Sequence, residues 1–133
     1  MREILFRGKS LRNEWVYGGY VGICNGGKIA ELTVIHIIEK CDNELVKTET
    51  VGQFTGLTDK NGKKIFEGDI VKIHRKYLNA GCEEDCLYEV IWHKHWCCWA
   101  LRNLKPTQCC YLSDVKDGEV IGNIHDNPEL LGE

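Results

Sequence analysis

The fold is decided by the stretch VGQFTGLTDKNGKKIFEGDIVKI, residues 51–73. Within it, Asp-Lys-Asn-Gly at 59–62 has the composition of a tight turn, because Asp and Asn side chains bond nearby backbone and glycine accepts a positive φ angle. Gly68 and Asp69 form a second turn that leads into Ile-Val-Lys-Ile at 70–73. Alternate residues of an extended chain point to opposite faces, so this segment predicts a mostly buried strand. Small SH3-like barrels often begin in this way.

Apolar and polar residues alternate over much of the remaining chain, in short runs interrupted by Gly, Asn and Asp. Asn25-Gly26 supplies the positive φ angles that a hairpin turn requires, which predicts a hairpin in the N-terminal part. Residues 40–50 carry no clear period, so they are predicted to be a loop, a short helix or the seam between two lobes. The sequence therefore predicts a mainly β protein that is one domain over residues 1–133. Within it we expect an N-terminal hairpin or meander lobe over residues 1–50 and a small SH3-like barrel over residues 51–133.

Charge and hydropathy limit the class of protein. Seventeen Lys and Arg residues face twenty Asp and Glu residues, a formal net charge of −3, which argues against a histone-like or ribosomal role. The N-terminal residues lack the apolar core of a signal peptide. The longest apolar-dominated run, residues 33–38, is far short of the roughly 20 residues that span a bilayer. We expect a cytoplasmic protein without a membrane partner.

Three segments, in the same order, are similar to a known family. Residues 51–73 resemble the signature block of the YopX-like family, and EVIGNIHDNPELL at 119–131 and FRGK with EWVYG near the start resemble its other blocks. The resemblance implies a small, mostly β protein encoded in phage or prophage genomes, with an SH3-like barrel in its later part, and hence the cytoplasm of a bacterial host cell as its location. It brings no catalytic residues and no established activity, so we expect no enzyme.

Eight cysteines are many for 133 residues, and none lies in those three segments. Disulfides are rare in a reducing cytoplasm, so a disulfide framework is disfavoured. Zinc is the sharper hypothesis, because thiolates and imidazoles bind it tetrahedrally, although no Cys-x2-Cys pair is present. The alternative is that these cysteines are small buried apolar residues and the histidines lie in a solvated turn, with no cofactor. The zinc candidates are Cys82, Cys86, His93, His95, Cys97 and Cys109.

Charge is unevenly distributed along the chain. Residues 58–76 hold six basic and three acidic residues, whereas residues 113–133 hold one basic and six acidic residues. A basic edge beside aromatic rings can bind single-stranded nucleic acid. A basic edge suits head-to-tail subunit contact equally well. Basic residues on solvated strand edges also need no partner to explain them. The residues that would carry such binding are Lys60, Lys63, Lys72, Arg75 and Lys76.

Three tryptophans, Trp92, Trp96 and Trp99, cluster in the later part of the chain. On a continuous strand, Trp92 and Trp96 would share one face and Trp99 would lie on the other. We expect two of the three in the core and an exposed one at an interface, where tryptophan is enriched. The function that we predict is a non-enzymatic protein-interaction module, with self-association as one form. The alternatives are a nucleic-acid-binding accessory protein and a zinc-stabilised binding module.

Overall fold

A computed structural model describes residues 3–25, 31–37, 40–77, 82–104, 109–111 and 117–131. The described part is mainly β, which confirms the predicted class. Its strands are β1 (Phe6–Lys9), β2 (Trp15–Asn25), β3 (Glu31–Ile37), β4 (Asp42–Lys47), β5 (Gly52–Thr58), β6 (Lys64–Phe66), β7 (Asp69–Tyr77), β8 (Cys82–His93), β9 (Cys98–Asn103), β10 (Cys109–Tyr111) and β11 (Glu119–Asn123). Short 3-10 helices cover Thr48–Thr50 and Pro128–Leu131. None of the described helices has the length and apolarity needed to cross a membrane.

The chain forms two compact units, Met1–Gly56 and Leu57–Glu133. In the first unit, antiparallel pairing gives the strand order β4-β3-β2-β1-β5. β2 and β3 pair as far as Asn25 opposite Glu31, whereas the turn predicted at Asn25-Gly26 extends into residues outside those described. A bridge between Ser10 and Val46 joins the chain after β1 to β4, so this sheet curls strongly. Ile35 and Val46 are fully buried within it.

Two glycines permit that curl because residues of neighbouring strands approach them closely. A Cβ at Gly8 would lie 2.6 Å from Cγ2 of Val46. At Gly18, a Cβ would overlap the carbonyl oxygen of His36. Backbone cannot withdraw as a flexible side chain can, so Gly18 admits no larger residue without moving β3. The glycines in FRGK and EWVYG thus have a packing role.

The second unit contains one antiparallel sheet in the order β10-β9-β8-β7-β11. Ile70 and Val71, adjacent on β7, are both fully buried, as the pattern at 70–73 predicts. A buried apolar cluster lies on one face of the sheet and stabilises this unit by about 25 cal/mol per Å² of apolar surface removed from water. Its members are Ile65, Val71, Ile73, Cys86, Tyr88, Val90, Leu101 and Val120.

The predicted SH3-like barrel over residues 51–133 is not confirmed. The second unit's sheet is open over the residues that the structure describes, with β10 at one edge and β11 at the other. The turn and strand signals in the sequence specify neighbouring pairs such as β7 with β8. Closure of a barrel depends on pairing between edge strands that are distant in sequence, and period-two patterns do not encode it.

The turn at 59–62 is held by one carboxylate. Oδ1 of Asp59 accepts the backbone N–H groups of Asn61 and Lys63, both at 2.9 Å, and Oδ2 accepts that of Val120 at 2.9 Å. Burial by itself would raise the pKa of Asp59, but these three donors, with the charge of Lys63, outweigh it and hold the pKa below its ordinary value. Gly62 supplies the positive φ angle, 82°. The turn is therefore fastened to β11.

Candidate functional site

A hairpin formed by β8 and β9 ends in a short turn, residues 94–97. Trp92 lies opposite Trp99, and His93 opposite Cys98. Within the turn, Nδ1 of His93 accepts the backbone N–H of Trp96 at 3.1 Å, and Cys97 adopts a positive φ of 52°. The His93 bond requires Nδ1 to be unprotonated, so the neutral ring carries its proton on Nε2. We refer to residues 92–99 as the hairpin tip.

The hairpin tip presents aromatic rings to solvent. Trp92 is 48% exposed and Trp96 is 40% exposed. Trp92 meets Trp99 edge to face with centroids 5.1 Å apart, and His93 stacks on Trp96 at 4.1 Å with an interplanar angle of 14°. Trp99 is half-buried and packs against the core cluster. The exposed rings are therefore braced by the fold, which lowers the entropy lost when they are covered.

The predicted placement of the tryptophans was wrong in two respects. Trp92 and Trp99 form a cross-strand pair, and directly opposed residues share a face, so Trp99 is not on the far side from Trp92. Two tryptophans are exposed and one packs against the core, where the reverse was expected. The physical reason is the turn, because it interrupts the strand between Trp92 and Trp96 and ends the alternation on which the prediction relied.

The tip also has a one-sided charge distribution. Residues 90–104 contain Lys94, Arg102 and two histidines but no Asp or Glu. Arg102 forms an ion pair with Glu89, a mostly buried carboxylate on β8, so its charge is balanced within the sheet. Lys94 is exposed in the turn, beside His93 and the exposed His95. The tip is thus aromatic and weakly cationic.

The structure separates two of the zinc candidates. Cys86 is buried in the core cluster, and His93 follows seven residues later on the same strand, about 23 Å away at the usual rise per residue. Ligands of one zinc ion lie within about 2.3 Å of it, so these two cannot share an ion. His93 and His95 lie near each other, with ring centroids 6.1 Å apart, and Cys97 is in the same turn.

The remaining zinc candidates, Cys82 and Cys109, have side chains outside the described part. Cys82 lies opposite Tyr77 in the register, and Cys109 lies opposite Arg102. The described residues include no group of three or more His, Cys, Asp or Glu side chains placed to hold a metal ion.

The predicted basic residues lie beside acidic ones. Nζ of Lys60 is 3.7 Å from a carboxylate oxygen of Glu119, and Lys72 lies opposite Glu119 in the sheet. The backbone register places Arg75 opposite Glu84 and Lys76 opposite Glu83, although the four side chains of these two pairs lie outside the described residues. Opposite charges on facing residues attract across a sheet and reduce the field that a polyanion would meet.

His74 and Lys63, two further basic residues of this region, also interact with nearby carboxylates. His74 donates from Nδ1 to Asp85 at 2.9 Å, and that hydrogen bond, with the charges of His74 and Lys72, holds the pKa of Asp85 below its usual value. Lys63 lies in the Asp59 turn, where its charge helps to lower the pKa of that carboxyl.

A second exposed apolar group lies on β2 in the first unit, and the predicted site residues did not include it. Its members are Tyr17, Tyr20, Val21 and Ile23. The register of β2 against β3 shifts between Tyr20 and Gly22, so a bulge places Val21 out of the regular alternation. The only signal in the sequence is the glycine content of this segment, which is typical of bulged strands.

The amino-acid sequence was compared with family models, curated proteins and solved structures. The model described as YopX protein matches residues 5–132. The chain belongs to the YopX family. Comparison with curated proteins gave no match. Among solved structures, the chain is similar to protein EF1440 from Enterococcus faecalis, with 24% identity, a TM-score of 0.55, and coverage of 99% of this chain and 100% of that one. At that identity the likeness shows the fold alone.

The segments that carry the YopX resemblance have structural roles in the described part. Gly8 and Gly18 allow close approach of neighbouring strands, Asp59 fixes a turn, and Oδ2 of Asp69 accepts the N–H of Phe66 at 2.8 Å. In the last segment, Oδ1 of Asn123 accepts the N–H groups of His125 and Asp126. The hairpin tip lies outside all three segments. The features that resemble the YopX family therefore build the fold, and the exposed aromatic rings are additional to them.

Proposed function

We propose that this chain is a phage- or prophage-encoded accessory protein that works without catalysis, by binding another protein through its hairpin tip. The observation that carries the proposal is the exposure of two tryptophans, Trp92 and Trp96, on a braced hairpin. Tryptophan is strongly enriched among the residues that dominate binding energy at protein interfaces. Covering two such rings removes a large apolar surface from water at little conformational cost.

Nucleic-acid binding is the less favoured alternative. It depends on the basic residues between positions 58 and 76, and these have acidic neighbours: Glu119 beside Lys60, Glu84 opposite Arg75, and Glu83 opposite Lys76. Non-specific affinity for nucleic acid comes mainly from unopposed cations that release counterions from phosphates. Because acidic residues occupy facing register positions, contact with protein accounts better for the exposed rings than contact with nucleic acid.

The test is affinity capture from infected or lysogenic bacterial cells with three tagged chains. The first is the unmodified chain, the second carries Trp92→Ser with Trp96→Ser, and the third carries Tyr17→Ser. Tyr17 is 46% exposed in the first unit, so the third chain controls for the loss of an exposed aromatic ring elsewhere. Captured proteins are quantified by mass spectrometry, and self-association of each purified chain is measured by light scattering.

We expect the unmodified and Tyr17→Ser chains to bind the same partner protein or their own copies, and the double tryptophan variant to lose that binding. A chain that stays monomeric at all concentrations and captures the same proteins with or without its two tip tryptophans would contradict the proposed function. Circular dichroism spectra of the three chains check that the surface substitutions leave the fold intact.

A further inference from the structure

We propose that the partner of the hairpin tip is a second copy of this chain, which the tip binds at its carboxyl-terminal turn, residues 126–131. The inference rests on the proposed function and names the partner and the surface that it presents. Two observations lead to it. The charges of the two surfaces are complementary, and both surfaces combine exposed apolar groups with charge.

The charge of the carboxyl-terminal turn is opposite to that of the tip. Residues 126–131 contain two acidic residues and no Lys or Arg, whereas residues 92–99 contain one lysine and no acidic residue. Asp126 and Glu129 are both exposed in the turn. Lys94 is exposed at the end of the tip. Because opposite potentials orient two surfaces and exclude like-charged alternatives, Lys94 and Glu129 are suited to face each other across a contact.

The apolar groups of the turn suit the two tip rings. Pro128 is exposed and Leu131 is 38% exposed, within four residues of each other on a single 3-10 helix. Aromatic rings pack well on the flat apolar surfaces of proline and leucine. Trp92 and Trp96 would bury these groups with their own exposed faces, and Lys94 lies between them in the sequence.

The turn keeps a fixed shape through bonds to one strand residue. Oδ1 of Asn123, at the end of β11, accepts the N–H groups of His125 at 3.0 Å and Asp126 at 2.9 Å. The backbone carbonyl of Asn123 accepts the N–H of Asn127 at 2.9 Å, and that of Asn127 accepts the N–H of Leu130 at 3.0 Å. A surface ordered before binding loses less entropy when it is covered.

After one such contact, one copy keeps an unused turn and the other keeps an unused tip. These two remaining surfaces either bind further copies head to tail or bind each other and close a two-fold dimer. The contact buries little surface, because the area of two tryptophans and one turn is well below the roughly 1,200 Å² that a stable interface buries. The association is therefore weak and concentration-dependent. Because the tip and the turn are different surfaces, substitutions in one of them block the contact and leave the other surface unchanged.

The experiment is sedimentation equilibrium on two blocked variants, alone and mixed. Trp92→Ser with Trp96→Ser blocks the tip, and Glu129→Lys with Leu131→Ser blocks the turn. All four side chains are exposed, so folding is retained. We expect the unmodified chain to associate with itself as its concentration rises. Each variant alone stays monomeric, and an equimolar mixture forms a one-to-one dimer that grows no further.

Reversing the charges of Lys94 and Glu129 gives a second test of the contact. Lys94→Glu is expected to weaken self-association by roughly tenfold, and adding Glu129→Lys to the same chain is expected to restore most of that loss. A mixture of the blocked variants that remains monomeric, while the unmodified chain associates, overturns the tip-to-turn contact and leaves the proposed function intact. An unmodified chain that is monomeric at all concentrations also overturns it. Capture of a host protein through the tip then tests the proposed function separately.

Discussion

The carboxylate of Asp59 accepts the backbone N–H of Val120 at 2.9 Å, across 61 positions of sequence. The neighbouring N–H of Lys60 donates to the carbonyl of Gly118 at 3.0 Å, which adds a second bond between the same segments. The turn that follows β5 is therefore fastened to the last strand of the second unit. This contact joins the central and carboxyl-terminal segments that resemble the YopX family.

Asp59→Ala should destabilise the second unit by roughly 3 kcal/mol. The substitution leaves three backbone N–H groups without their acceptor, and each unmade bond in a mostly buried site costs about 1 kcal/mol or more. Asp59→Asn is the matched control. Its amide oxygen can still accept from the N–H groups of Asn61 and Lys63, but its NH₂ group would face the Val120 N–H. We therefore expect Asp59→Asn to lower the unfolding free energy by about half as much as Asp59→Ala. Urea unfolding followed by tyrosine and tryptophan fluorescence measures both, and equal stability of all three chains would contradict this role.

The stability of the second unit should fall in acid, partly through Asp59. Its pKa is lower in the folded chain than the ordinary value of 3.8, so near that pH the unfolded chain binds more protons. The stabilising contribution is therefore complete above the unfolded pKa and is lost as pH falls through the folded pKa. The difference in unfolding free energy between the unmodified chain and Asp59→Asn should narrow between about pH 5 and pH 3. A difference independent of pH over this range would show that the charge of Asp59 contributes nothing.

Gly18→Ala should destabilise the first unit by roughly 3 kcal/mol, because the new Cβ would overlap the carbonyl oxygen of His36 on β3. Gly19→Ala is the control, since a Cβ there has no atom within 4 Å. Both substitutions carry the same change in unfolded-state entropy, so their difference isolates the close contact. Amide hydrogen exchange in residues 1–56 measures it. Equal protection in the two variants would show that β3 can move away without cost.

The basic residues of β7 should contribute little to any nucleic-acid affinity. Their register positions face Glu83, Glu84 and Glu119, which oppose their charge. We expect a short single-stranded oligonucleotide to bind weakly, and Lys72→Glu with Arg75→Glu and Lys76→Glu to change the dissociation constant by no more than about threefold at low salt. Fluorescence anisotropy at two salt concentrations measures this. Tight, salt-dependent binding that the triple variant abolishes would favour the nucleic-acid alternative instead.

Local features of the fold could be predicted from the sequence, whereas long-range ones could not. The turn at Asp59, the turn at Gly68 and the buried strand that starts at Ile70 follow from residue types alone, because each is a property of a few adjacent residues. The closure of the sheet depends on which edges pair, and the bond from Asp59 to Val120 joins positions that no short-range pattern relates. The barrel prediction depended on such long-range pairing and is not confirmed.

In the candidate site too, local features could be predicted from the sequence, whereas features that depend on the fold could not. The three tryptophans identified the correct segment, since a cluster of such rings is visible in the sequence without any knowledge of the fold. Which rings are exposed depends on the turn after His93, where a bond from the Trp96 N–H to the His93 ring reverses the chain. The zinc candidates were grouped by closeness in sequence, and an extended strand places Cys86 far from His93 despite only seven intervening steps.

The most direct test of the hairpin tip as the binding surface is a proton–nitrogen correlation spectrum of the tryptophan indole groups. The chain has four tryptophans, so the four signals can be assigned by single substitution to Phe. Spectra of the labelled chain are compared in buffer and in clarified lysate from lysogenic cells, with its own unlabelled chain added in a third sample. We predict that the signals of Trp92 and Trp96 shift or lose intensity, while that of Trp15 in the first unit changes least. Equal changes at all four signals, or a change confined to Trp15, would contradict the assignment of the tip.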